Sequence, residues 1–203
     1  KQGYRRGIKT TMLVTFACML GLAAVARPLI LILIGEKWLP AVTYLQILCF
    51  GGMLYPLHAI NLNILQVKGR SDLFLRLEII KKVIGIAPIA LGIFYGIEYM
   101  LCGSVVTSVI AYFLNSYFSA ELIHYPTWAQ VRDILPALLV SLGVALVMWG
   151  ISFLDCSVWV LLPLQCVCGI LLAMFVYGRL QLEEYLEIKQ IGLSLLNRCY
   201  KHG

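Results

Sequence analysis

Six stretches of this 203-residue chain are predominantly apolar for about twenty residues at a time, at 11–34, 41–67, 73–97, 100–122, 134–154 and 158–177. A hydrocarbon layer about 30 Å thick takes about 20 apolar residues in a helix to cross. Lipid offers backbone N–H and C=O groups no partner, so a spanning segment must satisfy them internally. The runs are continuous rather than alternating, which selects helices over the ~10-residue strands of a β-barrel. Composition agrees. Hydrophobic residues make up 61% and charged residues 13%, with mean hydropathy +0.89. A soluble domain is nearer ~45–50% apolar and ~25% charged, and a globule of this size has too little interior for the surplus. Disorder, a disulfide scaffold and a soluble enzyme are excluded.

The joints between runs are short. Gly35-Glu36-Lys37-Trp38, Lys68-Gly69-Arg70-Ser71, Glu98-Tyr99 and Asp155-Cys156-Ser157 leave only 124–133 as a longer connection. Such joints make successive spans antiparallel. The expected fold is therefore an all-α integral membrane protein, with six transmembrane helices in an antiparallel bundle. Residues 178–203 are too polar to span. There Leu182, Tyr185, Leu186, Ile188, Ile191, Leu195 and Leu196 recur at helical spacing, away from Glu183, Glu184, Glu187 and Lys189. That pattern predicts a C-terminal helix lying on the membrane surface.

Sixteen lysines and arginines set the orientation. All but Arg27 and Lys37 fall on one side of a six-span topology. The positive-inside rule makes that side cytoplasmic, with both ends of the chain on it. The formal charge of +6 then reports loop placement, and a nucleic-acid partner is not expected. Between 72 and 82, the pairs Asp72/Arg76 and Glu78/Lys82 at i,i+4 predict that the third helix protrudes into the cytoplasm. The chain opens on Lys1 with no secretory leader before the first run, and reads as a portion of something longer.

Seven cysteines, an odd number, lie mostly within apolar runs. No CxxC pair and no Cys/His spacing suits a metal, so they read as packing residues, with no metal and no cofactor expected. Walker A, GxSxG and HExxH sequences are absent, as is an acidic pair within a span; the chain is not expected to be an enzyme.

Polar residues inside the spans are the candidates for function, because they are costly in lipid unless they face a cavity or a neighbouring helix. Arg27 stands within the first run and precedes Pro28, about 12 Å from Gly35. It either faces a water-filled path or snorkels to the outer headgroups. Tyr55, His58 and Asn61 share one face of the second span, with Asn63 and Gln66 below. His58 is placed to titrate near neutral pH, or to pack as a hydrogen-bonded neutral ring. In the fourth span Ser104, Ser108, Tyr112, Asn115 and Ser119 recur at three- and four-residue steps. They form either a hydrophilic cavity wall or a close-packed helix seam.

Three stretches carry a family resemblance. Arg5-Arg6 is followed by an apolar helix ending Ala26-Arg27-Pro28-Leu29-Ile30, then Gly35-Glu36-Lys37-Trp38. Tyr44-Leu45-Gln46-Ile47-Leu48 follows. The third runs from Asn63-Ile64-Leu65-Gln66-Val67-Lys68-Gly69-Arg70-Ser71-Asp72 to Glu78-Ile79-Ile80-Lys81-Lys82. Together they resemble the C-terminal part of the polysaccharide-exporting branch of the MOP superfamily, the Wzx-type flippases of O-antigen and exopolysaccharide units. The likeness is best over residues 1–120. It implies a transporter of two helical lobes around a cavity that alternates between membrane faces, here without the N-terminal lobe. Residues 1–122 would belong to the C-terminal lobe, 123–177 would be two accessory helices, and 178–203 a cytoplasmic amphipathic tail. The substrate would be an undecaprenyl-pyrophosphate-linked oligosaccharide in the cytoplasmic membrane. Arg27 would hold its phosphates, and Tyr55, His58, Asn61, Ser104, Ser108, Tyr112 and Asn115 would line the cavity. Partners would be membrane lipids, the missing lobe and a coupling proton or sodium ion. The alternatives are another MOP-type exporter or a multispanning polymerase or acyltransferase of envelope glycan; the enzyme reading needs longer outer joints than this chain has.

Overall fold

In a computed structural model, residues 2–154 and 156–180 are described. The expected surface helix of the tail, from Leu182 onward, lies outside the described residues, as do Asp155 and Cys199. Within the described residues every regular element is helical. The order is α1 (Gln2–Ala24), α2 (Ala26–Leu33), a single 3-10 turn at Glu36–Trp38, α3 (Ala41–Gly52), α4 (Tyr55–Val67), α5 (Ser71–Ile84), α6 (Ile86–Tyr95), α7 (Ile97–Ile123), α8 (Thr127–Ile151) and α9 (Val158–Arg179). The chain is an all-α membrane bundle.

Five segments are long and apolar enough to span: Gly3–Ala24, Ala41–Val67, Ile97–Ile123, Thr127–Ile151 and Val158–Arg179. The run at 73–97 differs. It is bent at Gly85 into α5, which carries five charged residues, and α6, which is ten residues or about 15 Å long. Only the two together have the length to cross.

Three breaks fall inside the apolar runs of the first half of the chain, and proline explains all three. Proline lacks an N–H, and its ring collides with the carbonyl four residues earlier. Four residues before Pro28, Pro56 and Pro88 stand Ala24, Gly52 and Ile84, which are the last residues of α1, α3 and α5. Next to the first break, the Ala23 carbonyl accepts from Gln46 Nε2 of α3 at 3.1 Å. A neighbouring helix thereby satisfies a group that lipid cannot. Pro136 and Pro163 lie within α8 and α9, which run on unbroken.

The core is centred on α1, where Ile8, Met12 and Phe16 are fully buried. Its main neighbour is α8, running in the same direction, with Arg5 against Asp133 at one end and Val25 beside Met148 at the other. Ala137, Ser141 and Ala145 of α8 are buried at four-residue spacing, small enough for close approach. The same helix supplies Ile134, Val144 and Met148 to the core. The last helix, α9, is tied to α8 at two points along its length. Gln165 Nε2 donates to Met148 O and Ser152 Oγ, each at 2.7 Å, and Tyr177 Oη lies 2.6 Å from Ser141 Oγ.

The ion pairs on α5 differ from the expected i,i+4 pairs. Arg70 precedes the helix and turns back, so its Nε and Nη2 reach Asp72 at 3.1 and 3.2 Å. That contact holds the Asp72 carboxyl below its ordinary range. Glu78 accepts from Lys81, three residues on, rather than from Lys82.

Candidate binding cleft

Helices α4, α5 and α7 enclose a cleft of about 680 Å³. Its polar lining comes from three sources. α4 supplies Tyr55, His58, Asn63 and Gln66, α5 supplies Glu78, Lys81 and Lys82, and α7 supplies Ser104, Thr107 and Ser108. The two lysines stand ten and eleven residues into α5 from Ser71, about 15 Å along its axis. Lys82 is exposed. Lys81 is mostly covered, with 18% of its side chain accessible, and donates to Glu78. An ion pair and a free ammonium therefore sit in one groove of an apolar bundle, where charge is costly without a function or a partner.

The eight residues singled out from sequence separate into three groups. Tyr55, His58, Ser104 and Ser108 line the cleft. Asn61, Tyr112 and Asn115 are buried behind it. The α7 stripe passes from one environment to the other because its fifteen-residue span from Ser104 to Ser119 rotates about 60° beyond whole turns. Arg27 stands apart. It is exposed in the first turn of α2 and is not among the cleft residues.

Asn61 is the centre of a buried network joining four helices. Its Oδ1 accepts from Tyr4 Oη of α1 at 2.9 Å and from Ser119 Oγ of α7 at 2.6 Å. Its Nδ2 donates to Leu57 O at 3.0 Å and to Gln130 Oε1 of α8 at 3.3 Å. Close by, Asp133 accepts from Arg5 Nε, from Arg5 Nη2 at 2.6 Å and from Tyr125 Oη at 2.5 Å. Burial, and then the bond to the Asp133 carboxylate, push the Tyr125 phenol well above its ordinary range, so it stays a donor.

Sequence reading did not single out Lys81 and Lys82 as site residues, since they count equally well as loop-side positive charge. A signal was available: Gly85 and Pro88 directly follow them, and lysines next to a helix break have a reason to face a groove. Tyr4, Gln130 and Asp133 gave no signal, because they lie at run ends where polar residues are cheap.

Comparison with known proteins places this geometry in context. The polysaccharide biosynthesis protein family matches over residues 1–43. The teichuronic acid biosynthesis protein TuaB of Bacillus subtilis (strain 168) is 27% identical over 161 residues, covering 75% of this chain and 32% of the relative. The chain thus spans about a third of that relative's length. No solved structure matches. These similarities support a role in polysaccharide biosynthesis or export for a multi-pass membrane protein.

Proposed function

We propose that the protein containing this chain is a Wzx-type flippase of the MOP superfamily. It would translocate an undecaprenyl-pyrophosphate-linked oligosaccharide, such as an O-antigen unit of lipopolysaccharide, across the cytoplasmic membrane, without catalysing a covalent step. The observation that carries this reading is the cleft. A hydroxyl- and amide-lined groove with two lysines in the last turn of α5 suits a ligand that is both sugar and phosphate. Serine, threonine, asparagine and glutamine side chains exchange hydrogen bonds with sugar hydroxyls. The exposed Lys82 ammonium attracts phosphate as a point charge. Tyr55 adds an aromatic ring to the lining.

In this reading Asn61, Tyr112 and Asn115 support the wall from behind. Arg27 is a second phosphate contact on the outward part of the path, beyond the cleft. Residues 1–122 belong to the transport lobe, 123–177 form the accessory pair, and both ends of the chain face the cytoplasm. The partners are the lipid-linked oligosaccharide, membrane lipids, an N-terminal lobe and a coupling proton or sodium ion.

The test is glycan export in a strain lacking its own exporter, complemented with full-length protein. Losing a hydrogen bond to a charged group costs about 1.5–3 kcal/mol. Lys82→Gln should therefore lower export about tenfold or more, with Lys82→Arg retaining most of it. A Lys81→Gln/Lys82→Gln double variant that inserts normally and exports at the wild-type rate would sink the assignment.

A further inference from the structure

Three cleft-side residues are connected through one imidazole. His58 Nε2 lies 3.1 Å from Ser108 Oγ, and Asn115 Nδ2 lies 3.3 Å from His58 Nδ1. An amide NH2 only donates, so Nδ1 must present its lone pair to it. The neutral ring then carries its proton on Nε2 and donates it to Ser108. Asn115 is completely buried, and its Oδ1 has no hydrogen-bond partner. A buried acceptor without a partner forfeits the bond it made to water. That unused acceptor belongs to the same amide that donates to the ring. A half-turn of the amide exchanges its two ends and brings Oδ1 to face Nδ1. One orientation fits the neutral ring, and the other fits an imidazolium with a proton on Nδ1. His58 also lines the open cleft, which gives protons a route to it.

We infer that His58, Asn115 and Ser108 form a proton-binding site on the wall of the cleft, in which uptake of one proton at Nδ1 is matched by reversal of the Asn115 amide. The proton comes from water in the cleft; the Nδ1 lone pair becomes an N–H bond and the ring gains one positive charge. The charged groups in the same cleft are Lys81, Lys82 and Glu78 of α5. On its own helix Tyr55 shares the cleft, on α7 Tyr112 stands one turn from Asn115, and from α1 Tyr4 reaches only to Asn61. Glu78 is engaged by Lys81. The unbalanced charge of the cleft is therefore that of Lys82, and a proton on His58 doubles it. An anionic ligand and the proton then bind cooperatively, each raising the affinity for the other by the same factor. This last consequence rests on the proposed anion-binding role of the cleft.

The test is NMR of the full-length protein in lipid nanodiscs, with 15N-labelled histidine and asparagine, titrated from about pH 4 to pH 9. The His58 signals are assigned by their absence in His58→Gln. The expected result is a one-proton change at His58 from the Nε2–H tautomer to imidazolium, with the Asn115 side-chain amide shifting at the same midpoint. Asn115→Asp offers a fixed acceptor and should hold the proton to a proton concentration at least about tenfold lower, an opposite charge at contact being worth one or more pKa units. A His58 ring that keeps one protonation state throughout, or an Asn115 amide that does not follow it, overturns the site. A second titration adds inorganic pyrophosphate. A midpoint that moves to higher pH supports both inferences; one that does not move refutes the anion-binding reading and leaves the proton site standing.

Discussion

Removing Asn61 from the buried network should loosen the bundle by a calculable amount. Its side chain makes three bonds to other helices, to Tyr4, Ser119 and Gln130, and one to its own backbone at Leu57. Interhelical hydrogen bonds in membranes average about 0.6 kcal/mol, with a maximum near 1.7, because the unfolded chain in lipid also finds partners. Three of them amount to about 2 kcal/mol. Ser119 keeps a bond to the Ser116 carbonyl at 3.2 Å, and Gln130 keeps one to Tyr125 O at 3.3 Å, so neither is stranded. Tyr4 keeps a side-chain contact with Ser119. Asn61→Leu, close in volume, should therefore cost about 2 kcal/mol, or roughly thirtyfold in the unfolding equilibrium. The assay is reversible unfolding in mixed micelles, followed by far-UV circular dichroism. Tyr4→Phe should cost about 0.6 kcal/mol alone and less than that in the Asn61→Leu background, where only its contact with Ser119 is left to lose. A loss under about 0.5 kcal/mol for Asn61→Leu, or full additivity of the two changes, would show that the network does not hold the helices together.

Three further outcomes are expected. Asp133→Asn should lower thermal stability in detergent more than Arg5→Gln, because Asp133 accepts from Tyr125 as well as Arg5; equal losses would mean the ion pair acts alone. Arg27→Lys should export partially and Arg27→Ala scarcely at all, both with normal insertion; full export by Arg27→Ala would leave Arg27 as a headgroup anchor. A reporter fused after Lys37 should behave as extracytoplasmic and one after Arg70 as cytoplasmic, and the reverse pattern would overturn the topology.

The helical class and the positions of all six apolar runs were legible from hydropathy, which depends on nothing but local composition. Breaks within the runs were legible in part. Pro28 was visible beside Arg27 in the first run, whereas the breaks at Pro56 and Gly85 were hidden by the pattern that made 41–67 and 73–97 each look like one span. Four of the eight candidates, Tyr55, His58, Ser104 and Ser108, line the cleft; serine, tyrosine and histidine are conspicuous in an apolar helix. Which of them face water and which face protein was not legible: Ser108 and Asn115 lie on one stripe, and only the rotation of that stripe against α4 separates them. Lys81 and Lys82 escaped for a different reason. A lysine near the end of a span has the same sequence signature whether it reaches toward headgroups or into a groove. The role of α8 was obscured by its uniform apolarity, which leaves no polar face to show which side packs.

The proline breaks have a mechanical consequence for the cleft. Its wall on the α4 side is pinned, since Asn61 bonds to three other helices. Its wall on the α7 side is a single rod of 27 residues. The remaining wall, α5, is a 14-residue strut with Gly69, at φ +71, just before it and the Gly85 bend just after it. A strut jointed at both ends between two fixed walls can swing without any helix melting. Lys81 and Lys82 are mounted at its far end, next to the second joint. Whatever moves α5 changes the reach of both ammonium groups at once, while the hydroxyls and amides facing them stay where they are. A disulfide engineered between α5 and α7 would stop that swing and, under the proposed function, should freeze transport without disturbing the pinned side.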